Sequence, residues 1–115
     1  MIKASLLLNI IVLIPVCYGL LSNANWTQVS YGNPTPARNI LLSVYIAILL
    51  FSIILLFKPD PKMVIALLCV QIIYKFTTPF TVGTLTNSVV VSNIFIAIFH
   101  CITVLVIWKE LNLSK

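Results

Sequence analysis

Four stretches of this chain, residues 2–21, 39–57, 63–76 and 88–108, are almost wholly apolar, and the breaks between them are rich in Pro, Gly, Asn and Thr. A helix needs about 20 residues to cross a hydrocarbon layer about 30 Å thick. Three of the stretches satisfy this directly. The third does so only if it begins at Pro61 and continues to Thr78, with the stem of Lys75 carrying its amine toward the headgroups. Hydrocarbon offers no partner to a backbone N–H or C=O, so each segment has to satisfy its own, and helices are the form to expect. The pattern predicts helices at about 2–21, 36–57, 61–78 and 87–109. The fold class is then all-α: a polytopic transmembrane four-helix bundle with short loops, in one domain over residues 1–115.

Composition agrees with lipid rather than water as the surrounding medium. Hydrophobic residues make up 61% and charged residues 8%, against about one half and one quarter in soluble domains. The net charge of +5 would suggest a nucleic-acid partner if it were gathered on a stripe. Here the basic residues stand singly between apolar runs, so no nucleic acid is expected. Cys17, Cys69 and Cys101 all lie in apolar stretches without a C-x-x-C spacing, which reads as buried thiols rather than redox or zinc chemistry.

The breaks carry helix-start chemistry. Thr35-Pro36 and Asp60-Pro61 each put a side-chain oxygen at an N-cap and a proline at the first helical position, where its missing N–H is harmless. Thr86, Asn87 and Ser88 offer capping oxygens to the last helix, and Pro79 is expected to stop the third. Four spans place Lys3, Lys58, Lys62, Lys109 and Lys115 on one side, against Arg38 and Lys75 on the other. The positive-inside tendency then sets both termini in the cytoplasm, and the richness in Ile, Asn and Lys gives a bacterial inner membrane as the expected setting. Trp108 at the inner boundary, and Trp26 and Tyr31 in the first outer loop, fit interfacial anchors. An alternative makes the first segment a cleaved secretory signal, since Lys3, an apolar stretch and the small residues Ser22 and Ala24 resemble one; three spans would remain. In a secretory-pathway membrane, Asn25-Trp26-Thr27 would be a glycosylation acceptor.

Polar groups inside a span are where function is sought, because burying them in lipid is unfavourable. At 1.5 Å per residue, Asn9, Gln71 and His100 fall at similar depths, about 10 to 15 Å from the cytoplasmic ends, with Ser52 somewhat nearer the inner face. One expected role for this layer is interhelical hydrogen bonding, worth about 0.6 kcal/mol per contact. Another makes His100 a proton carrier or an axial porphyrin ligand, although no cofactor and no metal is expected. On the outer side, Arg38 and Lys75 lie near one membrane face without an Asp or Glu beside them. They are expected to seek lipid phosphate, an anionic ligand or a partner's carboxylate, with Tyr18, Tyr45 and Tyr74 as possible hydroxyl donors. Catalysis has little to use: the two acids, Asp60 and Glu110, fall at the cytoplasmic surface, so no paired carboxylates or nucleophile–base set can be assembled, and no enzyme is expected.

Length and plan are similar to the small multidrug transporters, but that family carries a glutamate in its first helix, where this chain offers Asn9. The order of Tyr18-Gly19 at the end of the first helix, Ala37-Arg38-Asn39-Ile40 opening the second and Tyr45 within it resembles the small four-helix membrane proteins related to DoxX. That resemblance implies an accessory component of a membrane complex and transfers no catalytic residue. The expected function is a small non-catalytic accessory or assembly subunit, whose partners are the bilayer and other membrane subunits or further copies of itself. A protein binding a lipid or small anion at the outer Arg38/Lys75 site is the first alternative, and a small transporter the second.

Overall fold

The computed structural model describes residues 2–113, and all the regular structure in them is helical. In chain order, α1 is Ile2–Ser22, α2 Asn25–Tyr31, α3 Pro36–Phe57, α4 Pro61–Val82 and α5 Ser88–Leu113. Of these, α1, α3, α4 and α5 are each long and apolar enough to cross a membrane. Lys115, counted above among the cytoplasmic charges, lies outside the described residues.

The capping oxygens act where the sequence puts them. Thr35 Oγ1 accepts from the N–H of Arg38 at 3.2 Å, with Pro36 at the first helical position. Asp60 Oδ1 accepts from the N–H groups of Lys62 at 3.0 Å and Met63 at 3.5 Å. Asn87 serves α5, its Oδ1 accepting from the N–H of Val89 at 2.9 Å. Each oxygen satisfies N–H groups that the first helical turn leaves without an intrahelical acceptor.

Three helix limits differ from expectation. The first loop is not unstructured, because Asn25–Tyr31 forms α2. Its position is set by the way α1 ends. Asn23 takes a left-handed φ of 55°, while the N–H of Ala24 returns to Gly19 O at 2.9 Å and that of Asn23 to Leu20 O at 3.4 Å. This is the Schellman closure, and Asn tolerates the left-handed position better than most side-chain-bearing residues. The chain is thereby turned back so that α2 lies against α1, and a Cβ on Gly19 would collide with the Trp26 ring and come within 2.9 Å of the Thr27 methyl group.

The second difference is in α4, which does not stop at Thr78 but passes through Pro79 to Val82. Proline has no N–H to give the carbonyl four residues back. That carbonyl belongs to Lys75, and the Thr78 hydroxyl donates to it at 2.7 Å, so the helix continues without an orphaned acceptor. Gly83, at φ 82°, then closes α4 by donating its N–H to Pro79 O at 3.1 Å. The third difference is at the end of α5, which runs on from 109 to Leu113, no Gly or Pro intervening to halt it.

The chain groups into two compact units, Met1–Ser5 with Pro59–Lys115, and Leu6–Lys58. In the first, α4 and α5 pack along a stripe of Val64, Leu68, Gln71 and Lys75 on one helix and Val90, Asn93, Ala97, His100, Thr103 and Ile107 on the other. Every spacing is three or four residues, as one helix face requires. In the second, α1 and α3 bury Leu13, Cys17, Leu20, Leu42, Tyr45, Ile48 and Leu55. Polar residues occupy positions in the same stripes as these core residues, which is what makes them candidates for function.

Candidate buried polar site

Arg38 is the polar centre of the unit formed by Leu6–Lys58. It opens α3 and is only 5% exposed. Its Nη1 donates to Gly32 O at 2.9 Å, and its Nη2 to Leu20 O at 3.3 Å and Asn23 Oδ1 at 3.0 Å. The guanidinium therefore sits at the carbonyl end of α1, where the helix dipole favours a cation. It also joins that end to the left-handed Asn23 and to Gly32, which ends α2. The expectation that Arg38 lacks an internal partner is corrected: the partners are neutral carbonyl and amide oxygens, not carboxylates. Nearby in sequence, Thr27 is fully buried and donates to Ala24 O at 2.6 Å, using its hydroxyl to hold α2 in place.

Of the expected polar layer, Asn9 and Ser52 belong to this unit. In the same unit, Asn9 Nδ2 donates to Ser52 Oγ at 3.2 Å, and the Ser52 hydroxyl donates back along its own helix to Ile48 O at 2.7 Å. Gln71 and His100 belong to the other unit. There His100 Nδ1 lies 3.1 Å from Ser5 Oγ, and Ser5 Oγ lies 2.6 Å from Thr103 Oγ1. Thr103 gives its single hydroxyl hydrogen to Phe99 O at 3.2 Å. His100, Ser5 and Thr103 thus form one continuous run of hydrogen bonds between α1 and α5. Sequence reading pointed to His100 but not to Ser5 or Thr103, which are short hydroxyl side chains of a kind common on helices.

Lys75 is the second buried cation, and its position differs most from expectation. Because α4 continues to Val82, Lys75 stands about 10 Å short of the helix end at 1.5 Å per residue. It does not reach out to the boundary; it is 5% exposed, and its Nζ donates to Asn93 Oδ1 of α5 at 3.1 Å. The Tyr74 ring lies beneath the ammonium, 4.9 Å from centroid to Nζ. One turn earlier on the same face, Gln71 is 1% exposed, and its Nε2 makes no hydrogen bond. Asn93 was missed because a helix taken to end at Thr78 leaves Lys75 at the rim, where it needs no acceptor from a neighbour.

The tyrosines do not share one environment. Tyr18 is 73% exposed, whereas Tyr45 is buried with its ring edge-on to Tyr31 at 6.1 Å between centroids. Tyr74 is half-buried on α4 beside Lys75. Among the described residues, no group of three or more His, Cys, Asp and Glu side chains is placed to hold a metal ion. Cys17, Cys69 and Cys101 are free thiols. Comparison with family models, with curated proteins and with solved structures gives no match to this chain.

Proposed function

We propose that the chain is a four-span integral membrane protein, both ends cytoplasmic, that serves as a small non-catalytic accessory or assembly subunit of a larger membrane complex. The observation that carries this reading is the uncovered apolar surface of the four long helices. Only 22% to 39% of the most apolar window of each is buried within the chain. Ile11, Ile40, Ile73, Phe95 and Leu105, on four different helices, are each about two-thirds exposed. Apolar faces of this extent are unstable in water and call for lipid tails or the helices of another membrane protein. A partner helix gains from such a face through close packing, since lipid is as apolar as leucine and supplies no hydrophobic drive of its own.

The polar residues support a scaffold rather than a reaction centre. Arg38, Asn9, Ser52, Ser5 and Thr103 direct their hydrogen bonds inward, to groups that close loops or join helices. Asp60 is occupied as a helix cap, and Glu110 stands near the end of α5. The DoxX-like order of Tyr18-Gly19, Arg38 and Tyr45 agrees with an accessory role, and Gly19 and Arg38 are the residues that hold α2 in place. The test is purification of the tagged chain from its native membrane in mild detergent, with copurifying proteins identified by mass spectrometry. A larger membrane protein in constant stoichiometry is the expected result. A chain that runs alone overturns the subunit role.

A further inference from the structure

We propose that the α4–α5 hairpin binds a small monoanion, of chloride or formate size, in its interior against Lys75 and Gln71. The inference starts from charge. An ammonium withdrawn from solvent needs a counter-charge, or acceptors for all three of its N–H groups. Lys75 has one acceptor, the neutral Oδ1 of Asn93 at 3.1 Å, together with the face of the Tyr74 ring. The chain contains two carboxylate side chains in all. Asp60 lies about 22 Å from Lys75 along α4, and Glu110 lies about 25 Å from Asn93 along α5, both at the far end of the hairpin.

The second observation is independent of the lysine. Gln71 precedes Lys75 by one turn on the same helix face, is 1% exposed, and holds an Nε2 with two hydrogens and no acceptor. Buried amides are rarely left in this condition, so an unfilled donor marks a place where a partner belongs. Lys75 and Gln71 together place an ammonium and an amide donor without an acceptor one turn apart on the same buried face of α4. A water molecule would supply acceptors but not charge. A lipid phosphate is bulky and confined to the headgroup level, whereas this ammonium is 5% exposed and about 10 Å inside the helix end. A halide or a one-carbon carboxylate supplies both acceptor and charge in the smallest volume an anion can have.

The experiment follows thermal unfolding of the full chain in mild detergent, read from Trp26 and Trp108 fluorescence, in sodium chloride, sodium formate and sodium gluconate at equal ionic strength. Chloride and formate should raise the unfolding temperature by about 4 °C or more over gluconate. Lys75→Met should erase the difference between salts. Gln71→Glu builds the anion into the helix and should unfold at one temperature in all three salts. Equal unfolding temperatures for the unaltered chain overturn the proposal, as does a full salt response in Lys75→Met. If Lys75→Met does not fold, Gln71→Glu decides: an undiminished response overturns the proposal, and a lost one supports it. The outcome is separate from the search for partners, since a chain that runs alone can still respond to chloride.

Discussion

A buried hydrogen bond to a charged side chain is stronger than one between neutral groups, and leaving the charge without its acceptor is worse than never having placed it there. The Lys75–Asn93 pair is such a case. Asn93→Ala should destabilise the chain by about 1.5 to 3 kcal/mol, because the ammonium loses its amide acceptor. The double replacement Lys75→Met with Asn93→Leu should recover most of that loss, because it removes both polar partners at once. Reversible unfolding of the two variants in detergent checks the order; a double variant less stable than Asn93→Ala contradicts it. Gly19 makes a different demand, one of space. Gly19→Ala drives a methyl group into the Trp26 ring and should destabilise by about 1 to 3 kcal/mol, as overpacking does elsewhere. The displaced indole should show the change as a shift in its emission.

Helix starts are local chemistry, and they were legible in the sequence. Thr35-Pro36 and Asp60-Pro61 place a capping oxygen and a proline in adjacent positions, and α3 and α4 begin there. Helix ends were less legible, because they depend on what replaces a lost hydrogen bond. Pro79 reads as a stop only while no other donor is found for Lys75 O; the Thr78 hydroxyl supplies it, and α4 gains a further turn. That turn moves Lys75 from the rim to the interior, so one misplaced helix end also misplaced a candidate site residue. Thr78→Val should orphan the carbonyl and destabilise α4 by about 1 to 3 kcal/mol, whereas Thr78→Ser should be nearly neutral. Hydrogen exchange at Val82 and Gly83 reports the difference, with faster exchange in Thr78→Val alone. The short helix α2 was hidden for a related reason. Nothing in Asn25–Tyr31 has a strong helical period, and its place is set by the left-handed turn at Asn23 and by the Arg38 guanidinium, which reaches it from α3.

The molecule as a whole presents apolar helix surface and few charges, and its basic residues were its clearest long-range signal. Lys3 lies in the first turn of α1, Lys58 just past α3, Lys62 in the first turn of α4 and Lys109 in the last turns of α5, while Arg38 opens α3; in the proposed four-span topology the lysines share one side. Cysteines introduced one at a time at Lys58 and at Gly83, in a chain whose native thiols are replaced by Ala or Ser, should label from opposite sides of a sealed vesicle. Labelling of both from one side contradicts the four-span topology. The buried polar residues were visible individually, as Asn9, Ser52, Gln71 and His100. Asn9 and Ser52 pair with each other as members of one such layer would, whereas Ser5 as a partner of His100 was not visible, since that pairing joins residues near opposite ends of the chain. The acceptor for Lys75 lies on a helix made after its own, and α4 is the least apolar of the four long helices. In the proposed membrane setting, α4 emerges from the ribosome before Asn93 exists, and an exit into lipid at that moment would strand its ammonium. The two helices therefore have reason to wait for one another and leave the translocon together, and a chain truncated within the Gly83–Ser88 connection should be discarded by quality control rather than retained in the membrane.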